Sequence, residues 1–144
     1  MSSCHARRQG LAIALLAGMT GCETASLPMA PSDLTSGVSL WEHANFQGNS
    51  ALLTESQTDL ADFSGPCAHD EGDTTVFDWN DCVSSVKVAP GWRAVIYRDA
   101  DYDGQSVQLT ADAPNLQLVP GGCSHDGLND CVTSIKVIAP GRAF

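Results

Sequence analysis

The chain has 144 residues and a formal net charge of −10, and 43% of its residues are hydrophobic. So acidic a chain repels nucleic acid and anionic lipid headgroups, which excludes both as direct partners and favours cations. Its length is enough for one ordinary domain around a single hydrophobic core.

The first part of the chain has the pattern of an export signal. A short basic segment precedes an apolar run over residues 11–17. This run is too short to span a bilayer stably and has the length of the apolar region of a signal peptide. We therefore expect residues 1–21 to be a signal peptide.

The signal ends in the sequence Met-Thr-Gly-Cys at residues 19–22, which resembles the lipobox of bacterial lipoproteins. We expect lipidation of Cys22, a flexible tether over residues 22–36 and a lipid-anchored location in the cell envelope. The membrane contact would then be the lipid anchor alone. An ordinary signal peptide cut near Ala25, giving a secreted protein, is the alternative.

Export to an oxidising compartment explains the remaining cysteines. Four cysteines follow Cys22, namely Cys67, Cys82, Cys123 and Cys131. An even number in an exported domain indicates disulfides, and pairing within each half of the chain is the simplest of three connectivities. A zinc site is the alternative because His69 and His125 lie near cysteines. However, the Cys-x-His spacing is unusual for zinc, and an oxidising compartment opposes thiolate ligands.

Two sequence patterns occur twice in the chain. Residues 80–85, Asn-Asp-Cys-Val-Ser-Ser, return as residues 129–134, Asn-Asp-Cys-Val-Thr-Ser, and we call these hexapeptides one and two. An aromatic–x4–aromatic–x–Gly segment precedes each hexapeptide, at 41–48 and 97–104. The first copy carries seven extra residues, which we place at 71–77. The duplication predicts two units packed on each other, because a unit of roughly 45 residues has too small a core to fold alone.

Four short runs in each copy have strand character, and no stretch shows helical periodicity over three turns. Short strands between Gly, Asn and Asp turns predict an all-β sandwich. The predicted strands are 38–42, 50–54, 59–63 and 83–89 in the first copy and 94–98, 106–110, 116–119 and 132–139 in the second.

Each aromatic segment predicts a bent hairpin between the first two strands of its copy. The glycine permits a positive φ, and the two aromatic side chains can stack at the bend. The last serine of each hexapeptide can hydrogen-bond the bent backbone from the last strand. These residues are Trp41, Phe46, Gly48 and Ser85 in the first copy and Tyr97, Tyr102, Gly104 and Ser134 in the second.

The two patterns, in this order and in both copies, resemble the βγ-crystallin family over residues 37–142. The aromatic segment is similar to that family's folded hairpin, and the hexapeptide is similar to the calcium signature of its microbial members. The resemblance implies two Greek-key motifs of four strands each, packed as a β-sandwich, with motif one at 37–91 and motif two at 92–142. The chain departs from the pattern at Trp41, usually Tyr or Phe, and in the cysteine inside each hexapeptide.

The resemblance also implies two calcium ions, each bound between the motifs. Calcium takes six to eight oxygen ligands. The implied ligands are the side chains of Asn80, Asp81, Ser84, Asn129, Asp130 and Thr133 and the backbone carbonyls of Glu42 and Arg98. The charge of Arg98 is expected to weaken its site. Turn formation by local hydrogen bonds is the alternative interpretation of the hexapeptides.

Three function classes follow from these observations. A calcium-binding, disulfide-stabilised structural module of an exported bacterial lipoprotein fits best. A secreted proteinase inhibitor or toxin-like binder on the same fold is the alternative, with the long loop between Cys67 and Cys82 presented to the partner. An enzyme is not expected, because the histidines come without a spaced nucleophile and base.

Overall fold

The computed structural model describes residues 34–121, 123 and 127–143. The predicted signal peptide, the lipidation site Cys22 and most of the tether lie outside the described residues. Eight strands form, at Val38–His43 (β1), Gln47–Leu53 (β2), Ser64–Glu71 (β3), Thr74–Asp78 (β4), Ser85–Val88 (β5), Arg93–Tyr97 (β6), Ser106–Leu109 (β7) and Ser134–Ile138 (β8). Two short 3-10 helices lie at Ala100–Tyr102 and Leu116–Leu118. Within the described ranges, no helix is long and apolar enough to cross a membrane.

The strands form two three-stranded antiparallel sheets and a separate hairpin. Motif one gives the order β2-β1-β5, motif two gives β7-β6-β8, and β3 pairs with β4 alone. Apolar side chains from both three-stranded sheets share one buried cluster, including Val38, Leu40, Val86, Ile96 and Ile135. The predicted all-β sandwich of two motifs is confirmed.

Each three-stranded sheet receives a fourth partner from the other motif. Gln57 of motif one and Ile135 in β8 exchange two backbone hydrogen bonds of 2.9 Å. Val86 in β5 and Ala113 of motif two do the same, at 3.0 and 2.8 Å. In this exchange each Greek-key motif adds one bridging residue to the sheet of the other motif. Each sheet therefore depends on both halves of the chain.

Two predicted strands, 59–63 and 116–119, are wrong. Residues 59–63 are a turn, and most of 116–119 is the second 3-10 helix. Leu60 and Leu116 are fully buried between the motifs, so the chain turns inward after a single bridging residue. Their N–H groups bond the fifth residue of the opposite hexapeptide, Leu60 to the Thr133 carbonyl (2.7 Å) and Leu116 to the Ser84 carbonyl (2.9 Å).

The extra residues of motif one build a hairpin, β3–β4, outside the sandwich. Its strands pair from Cys67↔Asp78 to Glu71↔Thr74, around a tip at Gly72. The segment assigned to the insertion, 71–77, covers the tip and most of β4, and β3 itself was not predicted. Tip residue Gly72 has φ +68°, which glycine adopts without strain.

Both aromatic segments form bent hairpins. Four non-glycine residues adopt positive φ, Asn45 (59°), Phe46 (60°), Asp101 (57°) and Tyr102 (63°), and Gly48 and Gly104 follow at 79° and 72°. The aromatic pairs pack at the bends, with ring centroids 6.3 Å apart for Trp41–Phe46 and 5.6 Å for Tyr97–Tyr102. Each bend closes one end of its sheet.

The last serine of each hexapeptide holds its bend in place. Ser85 is fully buried, and its hydroxyl donates to the His43 carbonyl (2.7 Å) and accepts from the Phe46 N–H (3.0 Å). Ser134 is equally buried and does the same in motif two, with the Asp99 carbonyl (2.6 Å) and the Tyr102 N–H (3.1 Å).

A lysine two residues after each serine covers the aromatic pair, a contact that the sequence analysis missed. Lys87 Nζ lies 4.8 Å from the Phe46 ring centroid, and Lys136 Nζ lies 4.7 Å from that of Tyr102. At these distances a lysine cation is attracted to the aromatic face. The signal was present in the sequence as Ser-x-Lys in both copies.

We predict that Ser85→Ala destabilises the domain by about 1–3 kcal/mol, because it leaves a buried N–H and a buried carbonyl without their partner. Urea unfolding of both proteins measures the difference. Ser50→Ala, at an exposed position of β2, is the control and should change little. Equal effects of the two substitutions would show that the Ser85 hydroxyl does not hold the bend.

Candidate metal centre

The two hexapeptides meet where the motifs cross. Asp81 and Asp130, the second residue of each, both adopt positive φ, 48° and 50°. Each donates its N–H at 3.3 Å to the fourth residue of the opposite hexapeptide, Asp81 to the Val132 carbonyl and Asp130 to the Val83 carbonyl. Each aspartate is therefore held against the motif that it does not belong to.

Site one is a cleft lined by residues of both motifs, and we define it by Glu42, Ser84 and Asp130. The Ser84 hydroxyl donates to Asp130 Oδ1 at 3.2 Å across 46 residues of sequence. The Ser84 N–H bonds the Trp41 carbonyl at 2.9 Å, which places Glu42 beside it. The structure thus brings the Ser84 hydroxyl and an Asp130 carboxylate oxygen together, with Glu42 lining the same cleft.

We define site two by pseudo-symmetry with site one, as Arg98, Thr133 and Asp81, and Asp81 also lines the site-one cleft. The Thr133 N–H bonds the Tyr97 carbonyl at 3.0 Å, as Ser84 bonds Trp41 in motif one. Arg98 follows Tyr97 in sequence, in the place that Glu42 has in site one. The backbone geometry of site one therefore recurs in site two. The residue after the aromatic residue is acidic in site one (Glu42) and basic in site two (Arg98).

The two asparagines orient the carboxylates. Asn80 Nδ2 donates to Asp81 Oδ2 at 3.1 Å, and Asn129 Nδ2 donates to Asp130 Oδ2 at 2.6 Å. Asn80 Oδ1 is buried and has no hydrogen-bond partner among the described residues. A buried acceptor without a donor is unfavourable unless something electropositive completes it.

The electrostatics of the cleft favour a cation. Partial desolvation raises the pKa of Asp81, which is exposed on one side. The His69 charge and the Asn80 hydrogen bond oppose this rise, and the charges of Asp78 and Asp130 add to it. The pKa of Glu42 is lowered by hydrogen bonds from the backbone N–H and side chain of Asn49. Several carboxylates are therefore held near one another, with His69 as the nearby group that offsets their charge.

The charge of Arg98 is directed at its own neighbour. Its guanidinium bonds both carboxylate oxygens of Asp99, at 2.9 and 2.7 Å, which raises the pKa of Arg98 and lowers that of Asp99. Because Asp99 offsets the positive charge, we expect Arg98 to weaken site two less than an isolated arginine would.

The residues fit a hard cation such as calcium, which mixes carboxylate, hydroxyl and carbonyl oxygens. The partnerless Asn80 Oδ1 and the Ser84–Asp130 contact supply such oxygens at the motif crossing. In the described part of the chain, no three His, Cys, Asp or Glu side chains cluster closely enough to hold an ion. A calcium ion here would therefore also need backbone carbonyls.

The four cysteines form disulfides within each half of the chain, Cys67–Cys82 and Cys123–Cys131. These bonds exclude the zinc alternative as far as the sulfurs are concerned, because bonded sulfurs cannot act as thiolate ligands. Cys82 and Cys131 are the third residues of the hexapeptides, and both are buried. His125 lies outside the described residues.

Two contacts near site one were missed. Asp78 is 4% exposed, and its Oδ1 accepts a hydrogen bond from the Asn80 N–H at 2.8 Å. The same oxygen lies 3.3 Å from His69 Nε2 on the neighbouring strand. The Asp-x-Asn pattern is a signal for the first contact, since aspartate commonly bonds the backbone two residues on. The histidine contact depends on the hairpin, which was not predicted.

Comparison with known proteins gives one family and several relatives. The model of peptidase inhibitor family I36 matches residues 35–110, more than half of the chain. Spherulin-3A of Physarum polycephalum is 33% identical over 100 residues, 69% of this chain and 80% of that protein. A development-specific protein S homolog of Myxococcus xanthus is 37% identical over 60 residues, which are 42% of this chain and 29% of that protein.

Solved structures agree with the fold. One that concerns the evolution of the eye lens βγ-crystallin domain fold has 30% identity and a TM-score of 0.57, covering 75% of this chain and 91% of that one. A βγ-crystallin domain from Flavobacterium johnsoniae has 26% identity and a TM-score of 0.51, covering 74% and 98%. The fold and these similarities define a βγ-crystallin-type domain with two disulfides. The chain belongs to peptidase inhibitor family I36.

We predict that Asp81→Asn raises the melting temperature of the calcium-free protein at pH 7. Because folding raises the pKa of Asp81, protonated Asp81 stabilises the folded state at pH values below the pKa that it has in the unfolded state. This stabilisation is lost as the pH rises through the pKa that it has in the folded state. Thermal melts in chelator should therefore differ most at neutral pH and converge in acid. Asp73→Asn, at the exposed tip, is the matched control. A variant that melts below the wild type at pH 7 would contradict the electrostatic account.

Proposed function

We propose that the protein is a calcium-binding structural module, with one ion in each of the two sites and no catalytic role. The observation that carries the proposal is the Ser84–Asp130 contact at 3.2 Å, which places oxygens of both motifs in one cleft beside Glu42. An ion there would link the motifs directly. Calcium would therefore act by stabilising their interface.

The ligand sets that we propose combine residues of both motifs. In site one, Ser84, Asp130 and the Glu42 carbonyl would contribute oxygens. In site two, the corresponding oxygens would come from Thr133, Asp81 and the Arg98 carbonyl. Asn80 and Asn129 already bond the neighbouring carboxylates, so their nearest role is to orient these groups. Water and other carbonyls would complete a shell of six to eight oxygens.

We predict that two calcium ions bind with dissociation constants on the order of 10⁻⁶ to 10⁻⁴ M. A ligand at about a hundredfold excess over its constant adds roughly 2.7 kcal/mol to the folded state, so melting should rise by several degrees in calcium. Magnesium should do much less, because it requires a small octahedral shell. Isothermal titration of chelator-treated protein measures the stoichiometry.

The hydroxyls allow matched controls. Ser84→Ala and Thr133→Val should each weaken one site, whereas Ser84→Thr and Thr133→Ser keep the hydroxyl and should bind nearly as the wild type does. Ser84→Arg and Thr133→Arg should each abolish one site by charge repulsion. The absence of heat and of stabilisation in the wild type would show that the hexapeptides only build turns.

We also propose that the protein is exported and anchored to the cell envelope through Cys22. The support is the signal-like sequence before this residue. Labelled palmitate should enter the wild type expressed in a bacterium, and Cys22→Ser should abolish the labelling. A wild-type protein that is recovered unlipidated and starts beyond Cys22 would fit the ordinary signal peptide instead.

A second candidate function, inhibition of a peptidase, is favoured by the hairpin β3–β4. Part of the support is the family, named for peptidase inhibitors, whose matched residues include this hairpin. Among the strands that the structure describes, β3 and β4 pair only with each other, and the hairpin carries Phe77, which is 58% exposed. The disulfide Cys67–Cys82 fixes its base. A rigid loop with an exposed aromatic side chain suits insertion into a cleft, because little conformational freedom is lost on binding.

For this candidate we predict that the protein inhibits at least one extracellular metallo- or serine peptidase and that Phe77→Ala weakens inhibition at least about tenfold, as removal of a buried aromatic anchor does. Leu118→Ala is the matched control, because Leu118 is 79% exposed but lies in motif two. Inhibition that Phe77→Ala leaves unchanged, or no inhibition of any peptidase in a panel of both classes, would contradict the proposed inhibitory role of the hairpin.

A further inference from the structure

The Cys67–Cys82 disulfide joins the hairpin to the candidate metal centre. Cys82 is 1% exposed and lies between Asp81 and Ser84, one residue from site two and two residues from site one. Both bridged residues line the same cleft as the Ser84 hydroxyl and Asp130. The bridge is thus the covalent neighbour of oxygens in both proposed sites.

The other end of the bridge is firmly held. Cys67 lies in β3 and pairs with Asp78 in β4, within a ladder that continues to the hairpin tip. The Asp78 carboxylate accepts the Asn80 N–H at 2.8 Å, so hexapeptide one is attached to the hairpin by a covalent bond and by a hydrogen bond. A strand therefore acts as the support for the ligand loop.

The backbone of hexapeptide one benefits from this support. Asp81 has φ 48°, a left-handed conformation that residues with a Cβ seldom adopt, although aspartate tolerates it better than most. On the side of motif two, its N–H reaches the Val132 carbonyl at a long 3.3 Å. On the side of motif one, the next residue is Cys82, which is fixed by its disulfide.

We propose that the Cys67–Cys82 disulfide sets the calcium affinity of the centre, an inference that rests on the proposed calcium function. A reducing dithiol reagent supplies two electrons and two protons. The Cys67–Cys82 S–S bond breaks and two thiols form, while the reagent becomes a disulfide. Hexapeptide one then loses its covalent support, and calcium must order the loop as it binds, which lowers the affinity. Binding linkage makes the effect reciprocal, so calcium stabilises the disulfide by the same factor.

The first test is a titration of the full chain with calcium alone. The oxidised wild type is compared with the double variant Cys67→Ser/Cys82→Ser, which is expected to bind about tenfold more weakly, within the usual range of coupling between sites. Leu109→Ala is the control, because this buried residue of β7 lies outside both sites. It should lower stability without changing the dissociation constants. Equal constants in the double variant and the wild type would overturn the proposal.

The second test does not depend on the folding of the double variant. The wild type is equilibrated with dithiothreitol at several ratios of reduced to oxidised reagent, with calcium or with chelator, and the Cys67–Cys82 peptide is quantified after alkylation. Calcium should shift the equilibrium about tenfold toward the disulfide, or about 30 mV for this two-electron couple. An equilibrium that calcium does not move contradicts the coupling. An oxidised wild type that binds no calcium would overturn the calcium function, and the coupling with it.

Discussion

The fold depends on the reciprocal crossing of the two hexapeptides. Each gives its fifth carbonyl to a buried leucine N–H of the other motif, and each accepts at its fourth carbonyl the N–H of the opposite aspartate. Buried backbone groups must be paired, so the loss of these hydrogen bonds would destabilise the folded state. The sheets, the bent hairpins and the candidate metal centre are all arranged around this crossing.

The crossing also explains why structure and binding share the same residues. Within hexapeptide one, Ser85 faces inward and holds the bent hairpin, whereas Ser84 faces the cleft and contacts Asp130. Cys82 is turned toward the hairpin β3–β4. Nearby residues thus serve the core, the cleft and the covalent support, and Ser84 and Ser85 face opposite sides as neighbours do in an extended chain. A substitution in this segment will seldom affect only one of these roles.

Much of this arrangement could be predicted from the sequence because its signals are local and occur twice. The short strands predicted the sandwich, the duplication predicted its two units, and Ser85 and Ser134 were expected to hydrogen-bond the bends from the last strand of each copy. The wrong strands, 59–63 and 116–119, have apolar residues at suitable spacing, but burial of Leu60 and Leu116 between the motifs decides their conformation. That burial is a long-range effect.

The contacts around site one also depend on long-range structure, which local sequence patterns do not reveal. The contact of His69 with Asp78 exists only because the inserted residues fold back as a hairpin. This insertion has no counterpart in the second copy, so the repeat could not reveal it. The exposure of Phe77 has the same origin, since an apolar residue in a strand pattern is ordinarily assigned to the core. Duplicated features were therefore easier to predict than unique ones.

The exchange of single bridging residues between the sheets bears on how such a chain can arise. A polypeptide with one motif would lack the bridge that Gln57 or Ala113 supplies, and two copies would restore both bridges by associating as a symmetric dimer. Joining the copies end to end replaces that association with an intramolecular one at an effective concentration of roughly millimolar. Once joined, the halves are free to diverge. The acidic and basic residues at Glu42 and Arg98, and the seven extra residues of the first copy, are differences that a strictly symmetric dimer of identical chains does not permit.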